Sequence, residues 1–226
     1  MPGRSPSRAP RHVATTSDPG PLSGADLAAP KASAWLRITA ERFRDPLGWG
    51  PGESRFVPPG AAWGGIYLAL DVVTSFREAV VRDRALDPSG LPLVTAADLT
   101  ENGCVFVAVP ADLRVVDLVD GPLATLLDTD QRAGRGSPHP GRWADRWRGD
   151  PLAPEGIIYP SRFTGRPCLF VYGASIPRLS TRWRRRLDRL PNPHGAELAE
   201  YLARLARKAP TAVTAVSTSA GTPARP

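Results

Sequence analysis

The apolar residues of this chain fall in short runs that are too brief and too unevenly spaced for a repeating strand–helix–strand plan. The runs "AWLRIT" (34–39), "IYLAL" (66–70), "CVFVAVP" (104–110), "LRVVDL" (113–118), "GIIYP" (156–160) and "PCLFVYG" (167–173) have strand length and β-favouring composition. Helical spacing appears over 72–84, 122–127, 142–148 and 196–208, where Leu198, Tyr201, Leu202 and Leu205 recur on one face. Long helices do not alternate with the strands, so the pattern predicts an α+β fold: mixed, mainly antiparallel sheets with flanking helices, rather than a doubly wound parallel sheet. Residues 1–33 and 210–226 are dominated by Pro, Ser, Ala, Gly, Thr and Arg without periodicity, which predicts two disordered tails around one domain at 34–209.

Charge and rare residues narrow the functional classes. The sequence carries 29 Lys and Arg against 22 Asp and Glu, a formal charge of +7, which favours anionic partners without choosing among them. Cys104 and Cys168 each lie inside an apolar run, which argues against a disulfide scaffold, and the three histidines stand far apart with no ligand spacing around them, so no metal is expected. The amino terminus lacks the apolar core of a secretion signal and no run of 18 apolar residues occurs, so a soluble, cytoplasmic protein is expected. "GWGPGESRF" (48–56) follows no strand and lacks the Lys-Ser/Thr of a phosphate-binding loop, and Ser161 in "YPSRF" is not in a nucleophile elbow. The arginine run "TRWRRRLDRLP" (181–191) reads as a solvated face, a docking surface or a phosphate-binding patch.

The informative stretch is "GGIYLALDVVTSFREAVVRD" (64–83), a strand that runs straight into a helix. On an ideal helical wheel Val72, Phe76, Ala79 and Val80 form the apolar stripe, and Glu78 points almost opposite, toward solvent. By pattern alone Tyr67 is a strand aromatic, Arg37 an exposed strand residue and Ser161 a turn residue.

Taken in order, Arg37 in "WLRIT", Arg55 with Phe56 in "ESRF", Tyr67 in "IYLAL", Glu78 in "FREAV" and Ser161 in "GIIYPSRF" resemble the RES domain, a family named for its Arg, Glu and Ser. The resemblance spans about residues 34–175 and leaves out the tails and the basic carboxy-terminal helix. It implies an ADP-ribosyltransferase-like fold and an NAD-degrading toxin, a glycohydrolase or phosphorylase, neutralised by a cognate Xre-type antitoxin. NAD would be substrate, no metal would be needed, and nucleic acid would be reached only through the antitoxin. On this reading Glu78 and Arg37 are the catalytic residues, Glu78 because cleaving the nicotinamide–ribose bond builds positive charge on the ribose that a carboxylate stabilises. Arg37 and Arg55 would hold the pyrophosphate by charge-assisted forks, with Arg42 or Arg44 as substitutes for Arg55. Tyr67 would stack on nicotinamide or bond the ribose, and Ser161 would hold the amide or the ribose hydroxyls. Two rival readings remain: an ADP-ribosyltransferase acting on a protein or nucleic acid, and a basic nucleic-acid-binding or scaffold protein.

Overall fold

The computed structural model describes residues 19–82, 84–86, 88, 90–127 and 139–208. Eight strands form one sheet: β1 (Leu27–Ala28), β2 (Ala34–Ala40), β3 (Gly65–Ala69), β4 (Asn102–Ala108), β5 (Val115–Asp117), β6 (Gly156–Pro160), β7 (Pro167–Tyr172) and β8 (Ser180–Arg186), in the order β1-β5-β6-β7-β3-β2-β4-β8. Every pairing is antiparallel except β5 with β6. The helices are α1 (Val72–Phe76), continued by a π-helical turn over Arg77–Val81, then α2 (Ala96–Thr100), α3 (His139–Arg148) and α4 (His194–Lys208). This is the α+β, mainly antiparallel arrangement that the irregular strand spacing predicts.

The sheet is nearly two sheets. β2 pairs with β4 through seven consecutive residue pairs and β3 with β7 through five, yet β2 and β3 are joined only at Leu36 and Ala69. Beyond that point Arg37–Ala40 and Gly65–Leu68 run unpaired, and a slot opens between them.

Packing follows the alternation along each strand. On one face α3 lays Trp143 and Trp147 over Phe56, Tyr159, Phe170 and Tyr172. Leu36 and Ala69 are cross-strand partners and so share that face, where Leu36 and Ile38 meet Val72, Phe76 and Val80 of the α1 segment and Leu198, Tyr201 and Leu205 of α4. The opposite face buries Trp35, Ile66, Leu68, Val105, Val107, Leu169 and Val171. Two separate helix layers thus cover the two halves of the sheet, with the slot at their seam.

Several elements depart from their sequence expectation. The ordered domain begins before residue 34: β1 pairs with β5, and Asp26 accepts hydrogen bonds from the backbone N–H and the hydroxyl of Ser23 to cap the preceding turn. A two-residue strand is too short to carry an alternation signal. The remaining tail assignments, 1–18 and 210–226, lie outside the described residues. Residues 124–127 are helical, as the run from 122 predicts, and the chain that follows lies outside the described residues. The 72–84 segment is not one α-helix, for the reason given below.

The arginine run is an edge strand rather than a patch of free cations. Arg184 donates to Glu41 Oε1 (3.3 Å) and to the carbonyls of Phe43 (2.6 Å) and Ala40 (3.0 Å), and Arg186 forms a two-point pair with Asp188. Much of the run's charge ties β8 to the domain, and its exposed remainder does what charged edge strands do, discouraging sheet-to-sheet association.

Gly65 is fixed by close approach: a Cβ there would lie 2.2 Å from the Val171 carbonyl oxygen and 2.7 Å from the Phe170 ring. Gly65→Ala is therefore expected to lower stability by about 1–3 kcal/mol, the range for overpacking a tight site. A urea denaturation midpoint equal to that of the parent protein would contradict this packing.

Candidate active site

The slot between β2 and β3 holds a cavity of about 170 Å³. Its wall takes Arg37 and Ile38 from β2, Gly65–Ala69 from β3, Ser75, Glu78, Ala79 and Arg82 from the α1 segment, and Tyr159 and Cys168 from β6 and β7. Residues of both β3 faces contribute, because strands that have parted expose their edges as well as their sides.

Glu78 reaches the cavity through the π turn. Asp71 caps α1 by accepting from the Thr74 N–H (2.8 Å) and the Thr74 hydroxyl (2.7 Å), which sets the helix direction as it leaves β3. The turn over Arg77–Val81 then inserts one residue into the helical repeat. As a result Val80 and Val81 are buried, Ala79 is exposed rather than part of the stripe, and Glu78 is half-buried on the cavity wall. The expectation of a solvent-facing Glu78 assumed an unbroken α-helical period, and the inserted residue removes that assumption.

Ser161 meets Glu78 directly. Its hydroxyl donates to Glu78 Oε1 at 2.6 Å and accepts from the Phe163 N–H at 3.2 Å. Ser161 is only 2% exposed and sits at the start of the hairpin loop between β6 and β7. That loop is pinned to the α1 segment at several points. The Arg77 guanidinium donates to the Phe163 carbonyl (2.8 Å), the Thr74 and Thr164 hydroxyls lie 3.0 Å apart, and Arg166 approaches Asp71 at 3.3 Å. Gly165, at φ +71, supplies the left-handed residue that closes the loop. Ser161 is thus a fixed donor to a carboxylate, not an exposed turn residue. Its one proton is committed to Glu78 and no histidine lines the cavity, so nothing here activates it as a nucleophile.

Arg37 is half-buried and spends one donor of each terminal nitrogen on the loop that follows β2, bonding the carbonyls of Pro46 (2.8 Å) and Gly48 (2.9 Å). Burial lowers its pKa to about 10, with Asp45 opposing, so it remains a cation at neutral pH. The anchored loop sets Trp49 against Gly173 and the Gly50 carbonyl against Gly64, where side chains on the glycines would collide with them. The Gly- and Trp-rich linker "DPLGWG" therefore acquires its shape from Arg37 and from glycines at the ends of β3 and β7.

Tyr67 shows its ring to the cavity and its hydroxyl to the 54–56 loop. The hydroxyl accepts from the Phe56 N–H (3.0 Å) and pairs with the Ser54 hydroxyl (2.8 Å). Burial raises its pKa, with those two hydrogen bonds opposing. It thereby holds the segment that carries Arg55, whose guanidinium lies over the rings of Tyr159 (5.2 Å) and Phe56 (5.6 Å). Of the five residues singled out in the sequence, Arg37, Tyr67 and Glu78 line the cavity, Ser161 is bonded to Glu78, and Arg55 packs on the aromatic cluster beside the wall. Arg42 and Arg44 are exposed and do not line it.

Three titratable wall residues were not singled out as site residues in the sequence: Arg82, Tyr159 and Cys168. Arg82 follows Glu78 by four positions, the spacing that puts two side chains on one helical face, and that signal was available. Cys168 is raised to about 12, first by burial and then by the negative charge of Glu78, and Tyr159 is raised well above its usual value by burial. Both stay neutral at physiological pH, which excludes a thiolate nucleophile at this position. Among the described residues no group of three or more His, Cys, Asp or Glu is placed to hold a metal ion.

Comparison with known proteins accords with this geometry. The RES domain family model matches residues 28–191. The chain belongs to the RES domain family. The match extends past the 34–175 span of the sequence motifs, reaching Ala28 at the end of β1 and taking in the arginine strand β8. No curated protein matches the chain. Among solved structures, a chain of the M. tuberculosis MbcT–MbcA toxin–antitoxin complex superposes with a TM-score of 0.52 at 20% identity, covering 72% of this chain and 87% of that one. At that identity the likeness is one of fold.

Tyr67→Phe deletes the acceptor of a buried backbone N–H and is expected to cost about 1–3 kcal/mol in urea unfolding. Phe56 and Arg55 should also become more exposed to hydrogen exchange, and an unaltered exchange pattern over 54–57 would show that Tyr67 does not hold this loop.

Proposed function

We propose that this protein is an NAD-degrading enzyme, a glycohydrolase or phosphorylase, that acts as the toxin of a toxin–antitoxin pair in the cytoplasm. The observation that carries the reading is the Glu78 carboxylate, held by Ser161 at 2.6 Å on the wall of a slot that also contains arginines 37 and 82. Membership of the RES family and the fold shared with a chain of a toxin–antitoxin complex support it.

The chemistry asks little of the protein beyond charge placement. As the C1′–N bond to nicotinamide breaks, the bonding pair leaves with the ring, and positive charge develops over C1′ and the ring oxygen. A carboxylate already oriented by a fixed hydroxyl stabilises that charge without reorganising, which is why it lowers the barrier more than it tightens ground-state binding. Water or inorganic phosphate then forms the new C1′–O bond and releases its proton to solvent. The cavity of about 170 Å³ suits one end of the dinucleotide, with the remainder lying along the open mouth of the slot.

The Arg37 guanidinium, fixed by two carbonyls, contributes positive potential for the phosphates, and Arg55, stacked on the aromatic cluster beside the wall, is the second candidate. A protein antitoxin would act by occupying the slot or its mouth, and the basic rim suits an acidic segment of an Xre-type partner. Transfer of ADP-ribose to a macromolecule shares the first bond cleavage and is distinguished by its product. The internal engagement of Arg184 and Arg186 counts against the nucleic-acid-binding reading.

Purified protein incubated with NAD should release nicotinamide, with free ADP-ribose or its phosphate ester as the second product. Glu78→Gln should fold normally and lose at least ~100-fold of that rate, the scale of a lost preorganised electrostatic contact. Equal rates for the two proteins would sink the mechanism. Arg37→Lys should weaken NAD binding although charge is retained, because an ammonium cannot serve two carbonyls and a phosphate in one plane. Full activity in that variant would reduce Arg37 to a point charge.

A further inference from the structure

Two successive residues of the π turn reach the same loop. Glu78 accepts from the Ser161 hydroxyl at 2.6 Å, while Arg77 donates through Nη1 to the Phe163 carbonyl at 2.8 Å, its guanidinium lying 5.4 Å from the centre of the Phe163 ring. Arg77 is half-buried and lies off the cavity wall, so a ligand in the slot does not meet it. Holding it there carries a cost, because its Nε is buried with no hydrogen-bond partner among the described residues. Phe163 is the residue between the two bonds. Its N–H donates to Ser161 Oγ at 3.2 Å, and its carbonyl accepts from Arg77.

We infer that Arg77 is a positioning residue for Glu78: by holding Phe163 it keeps the Ser161 hydroxyl turned onto the carboxylate. What Glu78 does in the reaction is taken from the NAD reading, on which this inference rests. A serine hydroxyl has one proton and two acceptor lone pairs and rotates to suit its neighbours, so they decide where the proton points. The Phe163 N–H brings a donor to one lone-pair direction and so leaves the Ser161 proton for Glu78 Oε1. That N–H bond is long and lasts while the Phe163 backbone stays in place, whereas the Arg77 bond to the Phe163 carbonyl is shorter and charge-assisted, which makes it the anchor. The other ties of the loop to the α1 segment act further along, at Thr164 and Arg166. The Ser161 backbone is fixed separately by bonds with Arg166 and Gly165, so Arg77 governs the direction of the hydroxyl rather than the place of the serine. Losing Arg77 then leaves ligand binding intact and weakens what the carboxylate does for the transition state.

Nicotinamide release from NAD is measured for the parent protein, Arg77→Met, Ser161→Ala and the double variant, with thermal melts to check folding. Arg77→Met keeps an apolar stem against the Phe163 ring and removes the donor. It should lower kcat roughly 3- to 10-fold, the scale of one hydrogen bond, with KM within about twofold of the parent value. In the Ser161→Ala background the same substitution should change kcat by less than about twofold, because the residue it acts through is gone. Arg77→Lys, which still brings a donor to the carbonyl, should recover most of the loss. Equal losses from Arg77→Met with and without Ser161, a raised KM at constant kcat, or no loss at all would each overturn the inference. If Arg77→Met does not fold, Arg77→Lys replaces it in the cycle: parental kcat, or a loss that vanishes without Ser161, supports the inference, and a loss that persists overturns it. If the parent protein releases no nicotinamide, the NAD reading fails, and amide hydrogen exchange decides Arg77 separately. Faster exchange of the Phe163 N–H in the Arg77 variant then supports the hold on Phe163, and an unchanged rate removes it.

Discussion

Two halves of one sheet meet at a single backbone pair, Leu36 with Ala69, and the site depends on that economy. Were β2 and β3 paired along their length, Arg37–Ala40 would bond Gly65–Leu68 and no slot would exist. The unpaired edges carry a cost, since backbone donors and acceptors at the parting must find other partners or water. The fold limits the cost by letting each strand keep its full ladder on the other side, β2 with β4 and β3 with β7. The two helix layers do the rest: α3 clamps one half, α1 and α4 the other, and neither needs the seam to be closed.

The strands were legible because each carries enough consecutive β-favouring residues to outweigh its surroundings. The fold class followed from their spacing. β1 and the capped start of the domain were not legible, because two residues cannot display a period, and β8 was hidden by its arginines: "TRWRRRL" has the alternation of an edge strand only to a reader who knows that Glu41 and the carbonyls of Ala40 and Phe43 await Arg184. α2 was missed for a related reason. Its signal is a capping box, with Thr95 and Asp98 satisfying each other's backbone N–H groups, on a helix too short to show periodicity.

At the site, residue types and order were legible while orientation was not. Glu78 looked solvent-facing because a helical wheel presumes 3.6 residues per turn, and the π turn is a tertiary outcome: Phe76 must reach Tyr201 while Val81 joins the same core, which an unbroken α-helix through Ala79 does not arrange. Ser161 looked like a turn residue because its partner lies 83 positions away. Arg55 and Tyr67 were placed together by sequence order, yet the contact between them is indirect. Tyr67 holds the backbone at Phe56, and Arg55 then settles on the aromatic cluster that Phe56 and Tyr159 build.

What the slot does with charge follows from how little water its groups retain. A half-buried guanidinium and a half-buried carboxylate each need partners to offset lost hydration, and those partners decide what freedom the charge keeps. Arg37 is satisfied by carbonyls, which fix its plane but leave its net charge uncancelled, so its field persists in the cavity. Glu78 accepts a short hydrogen bond from the neutral Ser161 hydroxyl, which fixes its position without adding a charge. Cys168 and Tyr159 stay neutral beside Glu78, because burial raises both pKa values and the nearby carboxylate raises them further. The wall thus brings a carboxylate, guanidinium groups and neutral hydrogen-bonding side chains together in one slot.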